Sequence, residues 1–143
     1  MPHLVILYTP NLDALTDMTH LCRSLADAML SVRDEAGAQV YPTGGTRVLA
    51  YAASHFAVAD GGAAGKAAGG SGEYGFVYLN LRMARGRSEA TKRAAGQAVS
   101  QAARQHFEAL LKTHHLGITV QIDEGHEVFD DKHSSLHPLF KKA

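Results

Sequence analysis

Pro2-His3-Leu4-Val5-Ile6-Leu7-Tyr8 sets a proline at the head of an apolar run that contains two β-branched residues. A short continuous run of this kind, closed by Thr9-Pro10-Asn11, reads as a strand covered on both faces. Outward from it, apolar residues recur at helical spacing between Asp13 and Arg33: Leu15, Met18, Leu21, Cys22, Leu25, Met29 and Leu30. Gly37 ends that unit, Tyr41-Pro42-Thr43-Gly44-Gly45 reads as a turn, and a second strand is expected from Arg47 to Ala57.

The pattern then repeats. Glycine and alanine dominate residues 60–72, which predicts a flexible, solvent-exposed connection. Gly65-Lys66 does not make it a phosphate loop, because Asp60 stands where the first glycine is required and Ala67 where Ser or Thr must follow the lysine. Residues 73–83 form the strongest strand pattern, with Phe76 and Tyr78 among aliphatics. Ser88 is placed to cap a long helix with Glu89 in its first turn. Its apolar face is expected to carry Ala90, Ala94, Ala98, Ala102, Phe107, Leu110 and Leu111, with His114 and His115 at its C-terminal end. Gly117 turns the chain into a last strand, Ile118 to Ile122, where apolar and polar residues alternate.

The fold class is therefore α/β (α+β): two βαβ units in tandem, giving one mixed four-stranded sheet with two helices on one face. The expected organisation is a single domain over 1–143, with pseudo-repeats 2–58 and 73–124, the 60–72 linker and a 125–143 tail. The uncovered sheet face carries apolar residues, and a neighbouring subunit is the simplest cover.

At 143 residues and 45% hydrophobic, the chain is long enough to bury a core. Fourteen basic and fourteen acidic residues cancel, so no global field favours nucleic acid or a membrane surface. The lone Cys22 precludes an intrachain disulfide and fits a reducing compartment; with no signal-peptide pattern and no membrane-length apolar run, a cytoplasmic location is expected.

Three residues carry the chemistry. Removal of Met1 would leave Pro2 with a secondary amine, a base whose reference pKa of about 7.7 to 8.0 falls toward neutrality beside cations or apolar walls. With Met1 attached, Pro2 is an amide without a basic lone pair. Arg47 starts the second strand and Arg87 follows the third. Two guanidiniums fork onto carboxylates and define a pocket for a dianionic organic acid, while lowering the prolyl pKa. The nine histidines do not make a metal site: no HExxH is present, and His114-His115 and the His126, His133, His137 group lack ligand spacing. No serine sits in a nucleophile elbow.

Pro2-His3 opening a strand, Tyr41-Pro42 before Gly45-Thr46-Arg47, Tyr74-Gly75-Phe76-Val77, Gly86-Arg87-Ser88 and Leu136-His137-Pro138-Leu139-Phe140 resemble the 5-carboxymethyl-2-hydroxymuconate isomerase family of the tautomerase superfamily. The resemblance spans nearly the whole chain. It implies a homotrimer around a central barrel-like core, no cofactor and no metal, and a small carboxylate substrate from the breakdown of aromatic acids such as homoprotocatechuate. It also implies that Pro2 shuttles the proton and that Arg47 and Arg87 bind substrate oxygens. The chain departs from the family in a longer 60–72 linker, placed between the two arginines in sequence, and in Leu49 and Tyr51. A linker folded over the pocket would change the substrate. Two alternatives stand beside this reading: a trimeric binding or scaffold protein with an idle proline, and a tautomerase or hydratase of another 2-oxo or unsaturated acid.

Overall fold

The computed structural model describes residues 2–141. Four strands, β1 (His3–Tyr8), β2 (Arg47–Ala52), β3 (Tyr74–Met83) and β4 (His115–Glu124), form one sheet in the order β2-β1-β3-β4. β1 runs parallel to β2 and β3 parallel to β4, while the central β1–β3 pair is antiparallel. Two βαβ units are thus joined back to back, as the tandem pattern predicts.

The helices cover one face. Helix α1 (Met18–Ser31) crosses between β1 and β2, and α3 (Glu89–His106) between β3 and β4; they pack on each other and on the sheet. Leu4 and Ile6 from β1 and Leu79 and Leu81 from β3 are buried against Leu21, Leu25, Met29 and Val99. Among the described residues nothing covers the other face: Leu7 is 48% exposed, Leu49 47% and Tyr51 53%.

Several boundaries differ from the sequence reading, each for a local reason. The first helix starts at Met18, not Asp13, because the Asp17 carboxylate accepts from the His20 amide and caps it there; Pro10–Ala14 instead makes a 3-10 turn. β2 ends at Ala52, not Ala57, because its partner ends at Tyr8, whose carbonyl takes a last hydrogen bond from the Ala53 amide at 2.8 Å. Past that point β2 has nothing to pair with.

The 60–72 segment is not a loose connection. It contains the short helix α2 (Ala63–Ala67), whose first turn is held by the Asp60 carboxylate accepting from Gly62 and Ala64 amides at 3.0 and 2.9 Å. The Gly65 amide donates to the Tyr74 hydroxyl at 2.9 Å, which docks the segment on the first residue of β3. Small residues here permit close packing.

The second long helix is also interrupted. Phe107 is fully buried with φ −97° and ψ 6°, and separates α3 from α4 (Glu108–Thr113). The buried stripe of α3 is Thr91, Ala95, Val99 and Ala103, one position beyond the alanines expected to lead it. Val99 and Phe107 are the large residues that set the line, and Ala94, Ala98 and Ala102 flank it while Ala90 is exposed. β4 begins at His115, so that residue is a strand residue and Gly117 lies inside the strand across from Phe76.

Candidate active site

The strand directions collect one set of termini at one end of the sheet: the starts of β1 and β2 and the finishes of β3 and β4. Pro2 is buried there, immediately before His3, whose ladder partners are Arg47 on β2 and Arg82 on β3. Strand alternation turns His3, Arg47 and Arg82 onto the open face, since their neighbours Leu4, Val48 and Leu81 pack into the core. Arg47 donates from Nη1 to the Gly45 carbonyl at 2.7 Å, which steadies it. The pKa of His3 is lowered, first by burial and then by the Arg47 charge, with Asp130 acting in the opposite sense.

Arg87 stands at the same end but on the helix side. Gly86, with φ +100°, makes the turn that β3 needs before α3, a conformation that L side chains rarely adopt. The Arg87 guanidinium donates to the Ala84 carbonyl at 2.9 Å and the Val40 carbonyl at 3.4 Å, and lies 5.2 Å from the centroid of the Tyr41 ring. Tyr41 is fully buried, with its hydroxyl 3.9 Å from Met83 Sδ. Burial pushes the Tyr41 pKa up to about 12 although Arg87 opposes it, so this phenol is no proton shuttle at neutral pH. It is a platform for the cation.

A clamp sets the position of that turn. Ser88 Oγ donates to Glu35 Oε1 at 2.5 Å and Thr91 Oγ1 to Glu35 Oε2 at 2.9 Å, while Ser88 Oγ accepts the Thr91 amide and caps α3. These hydroxyls, Ser88 first, lower the pKa of Glu35. Glu35 belongs to the loop after α1, so the clamp binds the first βαβ unit to the second beside Arg87. A cleft of about 290 Å³ runs along it, lined by Glu35, Val40, Arg87 and Ser88 among others.

The tail closes over this end. Gly125 donates to the Met83 carbonyl at 2.8 Å, and a 3-10 turn at His137–Phe140 returns to Gly44. A Cβ at Gly44 would lie 3.0 Å from the Phe140 ring and 3.3 Å from the His137 Cα, so glycine is what admits the contact. Asp130, between these anchors, is held by Lys132 and is near enough to act on His3.

Pro2, Arg47 and Arg87 therefore share one end of the sheet, with the two guanidiniums held on opposite sides of it. The linker does not reach them. It packs on Tyr74 and close to His115, which begin β3 and β4 at the far end, eight rungs from Arg82 and Asp123 and so roughly 26 Å away. Within the chain it cannot fold over the proline. Sequence reasoning assigned no site role to Glu35 or to Tyr41, although Tyr41-Pro42 stands among the motifs that carry the family resemblance.

Two βαβ units joined in one mixed four-stranded sheet, with a buried proline ahead of the first strand, define the class of fold. The sequence model of 5-carboxymethyl-2-hydroxymuconate isomerase matches residues 2–140, and the chain belongs to that family of isomerases. A crystal structure of a 5-carboxymethyl-2-hydroxymuconate delta-isomerase is 62% identical, superposes with a TM-score of 0.96, and covers 100% of this chain and 95% of its own. A 5-carboxymethyl-2-hydroxymuconate isomerase from Deinococcus radiodurans R1 is 29% identical with a TM-score of 0.79, over 99% and 95% of the two chains. The 5-carboxymethyl-2-hydroxymuconate Delta-isomerase of Escherichia coli is 24% identical over 141 residues, 99% of this chain and 100% of that protein.

Proposed function

We propose that this isomerase ketonises a 2-hydroxymuconate-type dienol bearing two or three carboxylates, 5-carboxymethyl-2-hydroxymuconate or a close analogue, with Pro2 as the acid–base catalyst. The observation that carries this is the gathering of Pro2, Arg47 and Arg87 at one end of the sheet, in a chain of this family. The processed prolyl nitrogen takes the 2-hydroxyl proton and returns it to a carbon further along the conjugated chain, giving the unsaturated ketone. Negative charge grows on the oxygen as the proton leaves. An arginine aimed at that oxygen stabilises the transition state more than the dienol, and the other holds a carboxylate. Arg47 beside the proline also disfavours the prolinium, which keeps the base available.

The active assembly is a homotrimer. Leu7, Leu49 and Tyr51 on the open face supply the apolar surface for subunit contact, and a neighbour packed there brings new side chains to the Arg47 side of Pro2. No cofactor takes part. Among the described residues no helix is long and apolar enough to cross a membrane, and the enzyme works in the cytoplasm in aromatic-acid breakdown, the homoprotocatechuate route. Ketonisation followed by ultraviolet absorbance tests this reading. Processed protein is expected to turn over the dienol, with kcat/KM lowered in both Arg47→Ala and Arg87→Ala; unchanged turnover in both variants would refute it.

A further inference from the structure

Packing does not hold the turn that carries Arg87. Ala84, Arg85 and Gly86 are all exposed, and a Cβ built on Gly86 would meet no atom within 4 Å. Polar links fix it instead. Ser88 caps α3, and the third helical position, where a Glu or Gln often reaches back to close the start of a helix, is taken by Thr91. A threonine is too short to reach back in that way. The carboxylate comes from the other βαβ unit: Glu35 accepts from Ser88 Oγ at 2.5 Å and from Thr91 Oγ1 at 2.9 Å, one bond to each of its oxygens. The dipole of α3 favours an anion there as well.

Glu35 sits on a stiff loop. The Asp34 carboxylate accepts from the Ala36 and Ala38 amides, both at 2.9 Å, Gly37 takes a φ of +78°, and the Val40 amide donates to the Val32 carbonyl at 3.1 Å. The same loop runs on to present the Val40 carbonyl and the Tyr41 ring to the Arg87 guanidinium. It therefore grips the turn at two points, the start of α3 through Glu35 and the arginine head through Val40 and Tyr41. The second grip is loose: the Val40 bond is 3.4 Å long, and a ring face draws a cation without fixing its direction. The aim of the guanidinium is set by where the turn sits.

We infer that Glu35 is a positioning residue for the reaction: it fixes the start of α3 against the loop of the first βαβ unit, and so aims Arg87, the arginine that the proposed function, on which this inference rests, sets against a substrate oxygen. Glu35 touches no substrate and acts through Arg87 alone. Without it, the first turn of α3 is free to shift against Tyr41, and a displacement of about 1 Å is enough to lower turnover heavily.

Two readouts on the processed, full-length chain test this. Nitrogen NMR of the arginine side chains would follow the Nε–H signal of Arg87, identified by its loss in Arg87→Lys. Glu35→Ala is expected to shift or broaden that signal. Glu35→Gln should keep it near its wild-type position, because the amide accepts from Ser88 and donates to Thr91. Dienol ketonisation then supplies a double-mutant cycle: Glu35→Ala is expected to lower kcat/KM about tenfold in the wild-type background, Glu35→Gln to recover part of it, and Glu35→Ala to have no further effect once Arg87 is alanine. The same fold-loss from Glu35→Ala in both backgrounds would mark Glu35 as structural and overturn the inference. An Arg87 signal left in place by Glu35→Ala, or an unchanged turnover, would also overturn it. Unchanged turnover in Arg87→Ala would remove that arginine from the proposed function and the role of Glu35 with it, whereas a loss in Arg87→Ala beside an independent effect of Glu35→Ala would overturn the inference alone.

Discussion

Arg87, proposed above to bind a substrate oxygen, is held in place by its own chain. Two backbone carbonyls and the Tyr41 ring fix the guanidinium, yet they leave several of its five N–H groups available. Arg87→Ala is expected to lower kcat/KM about a hundredfold in ketonisation assays, the scale for losing a donor to a developing oxyanion. Arg87→Lys should recover little, because an ammonium cannot fork between the Ala84 carbonyl, the Tyr41 ring and a carboxylate at once. Pro2, Arg47 and Arg87 were all legible in the sequence as residue types at strand ends. The face each occupies was not, because it depends on the ladder that pairs His3 with Arg47 and Arg82.

At the scale of elements, α1 and α3 meet at a pair of histidines. The His20 and His106 rings stack with centroids 5.8 Å apart, and Thr16 Oγ1 lies 2.8 Å from His106 Nε2. Burial, and then the charge of His20, lower the pKa of His106, while Asp17 opposes them. The unfolded chain therefore binds a proton at His106 more readily than the folded one. Stability from this residue is complete above its unfolded value of about 6.5 and declines as pH falls from there toward the lowered folded value. Urea unfolding at pH 8 and pH 5.5 should show a smaller acid loss in His106→Gln than in wild type. The Glu35 clamp gives a second expectation: Ser88→Ala removes the cap of α3 and should cost about 1 kcal/mol in the same measurement. Strand and helix existence was readable from periodicity, but element ends were not. β2 stops because β1 stops, and the long helix breaks because Phe107 turns inward; both are set by partners distant in sequence.

For the whole molecule, the sheet is covered on one side by its own helices and exposes Leu7, Leu49 and Tyr51 on the other. Tyr51→Glu places a charge among these residues and is expected to shift the proposed trimer toward monomer in sedimentation velocity, with loss of turnover. An unchanged trimer would place the contact elsewhere. The 60–72 segment illustrates the limit of composition as a guide. Glycine and alanine give no periodic signal, so only the structure reveals that Asp60 and Tyr74 hold them against the end of the sheet farthest from Pro2. Within one chain that segment stands clear of the Pro2 end of the sheet.

The role proposed for Pro2 rests on one lone pair, and a pair of proteins differing only in Met1 isolates it. Intact mass would first establish which molecules have lost the methionine, and dienol ketonisation would then be compared between processed protein and protein that retains it. Turnover in the processed form, falling as the prolyl nitrogen is protonated at low pH, with at least a hundredfold less in the retained form, is the expected result. Equal turnover in the two forms would contradict catalysis by the prolyl nitrogen.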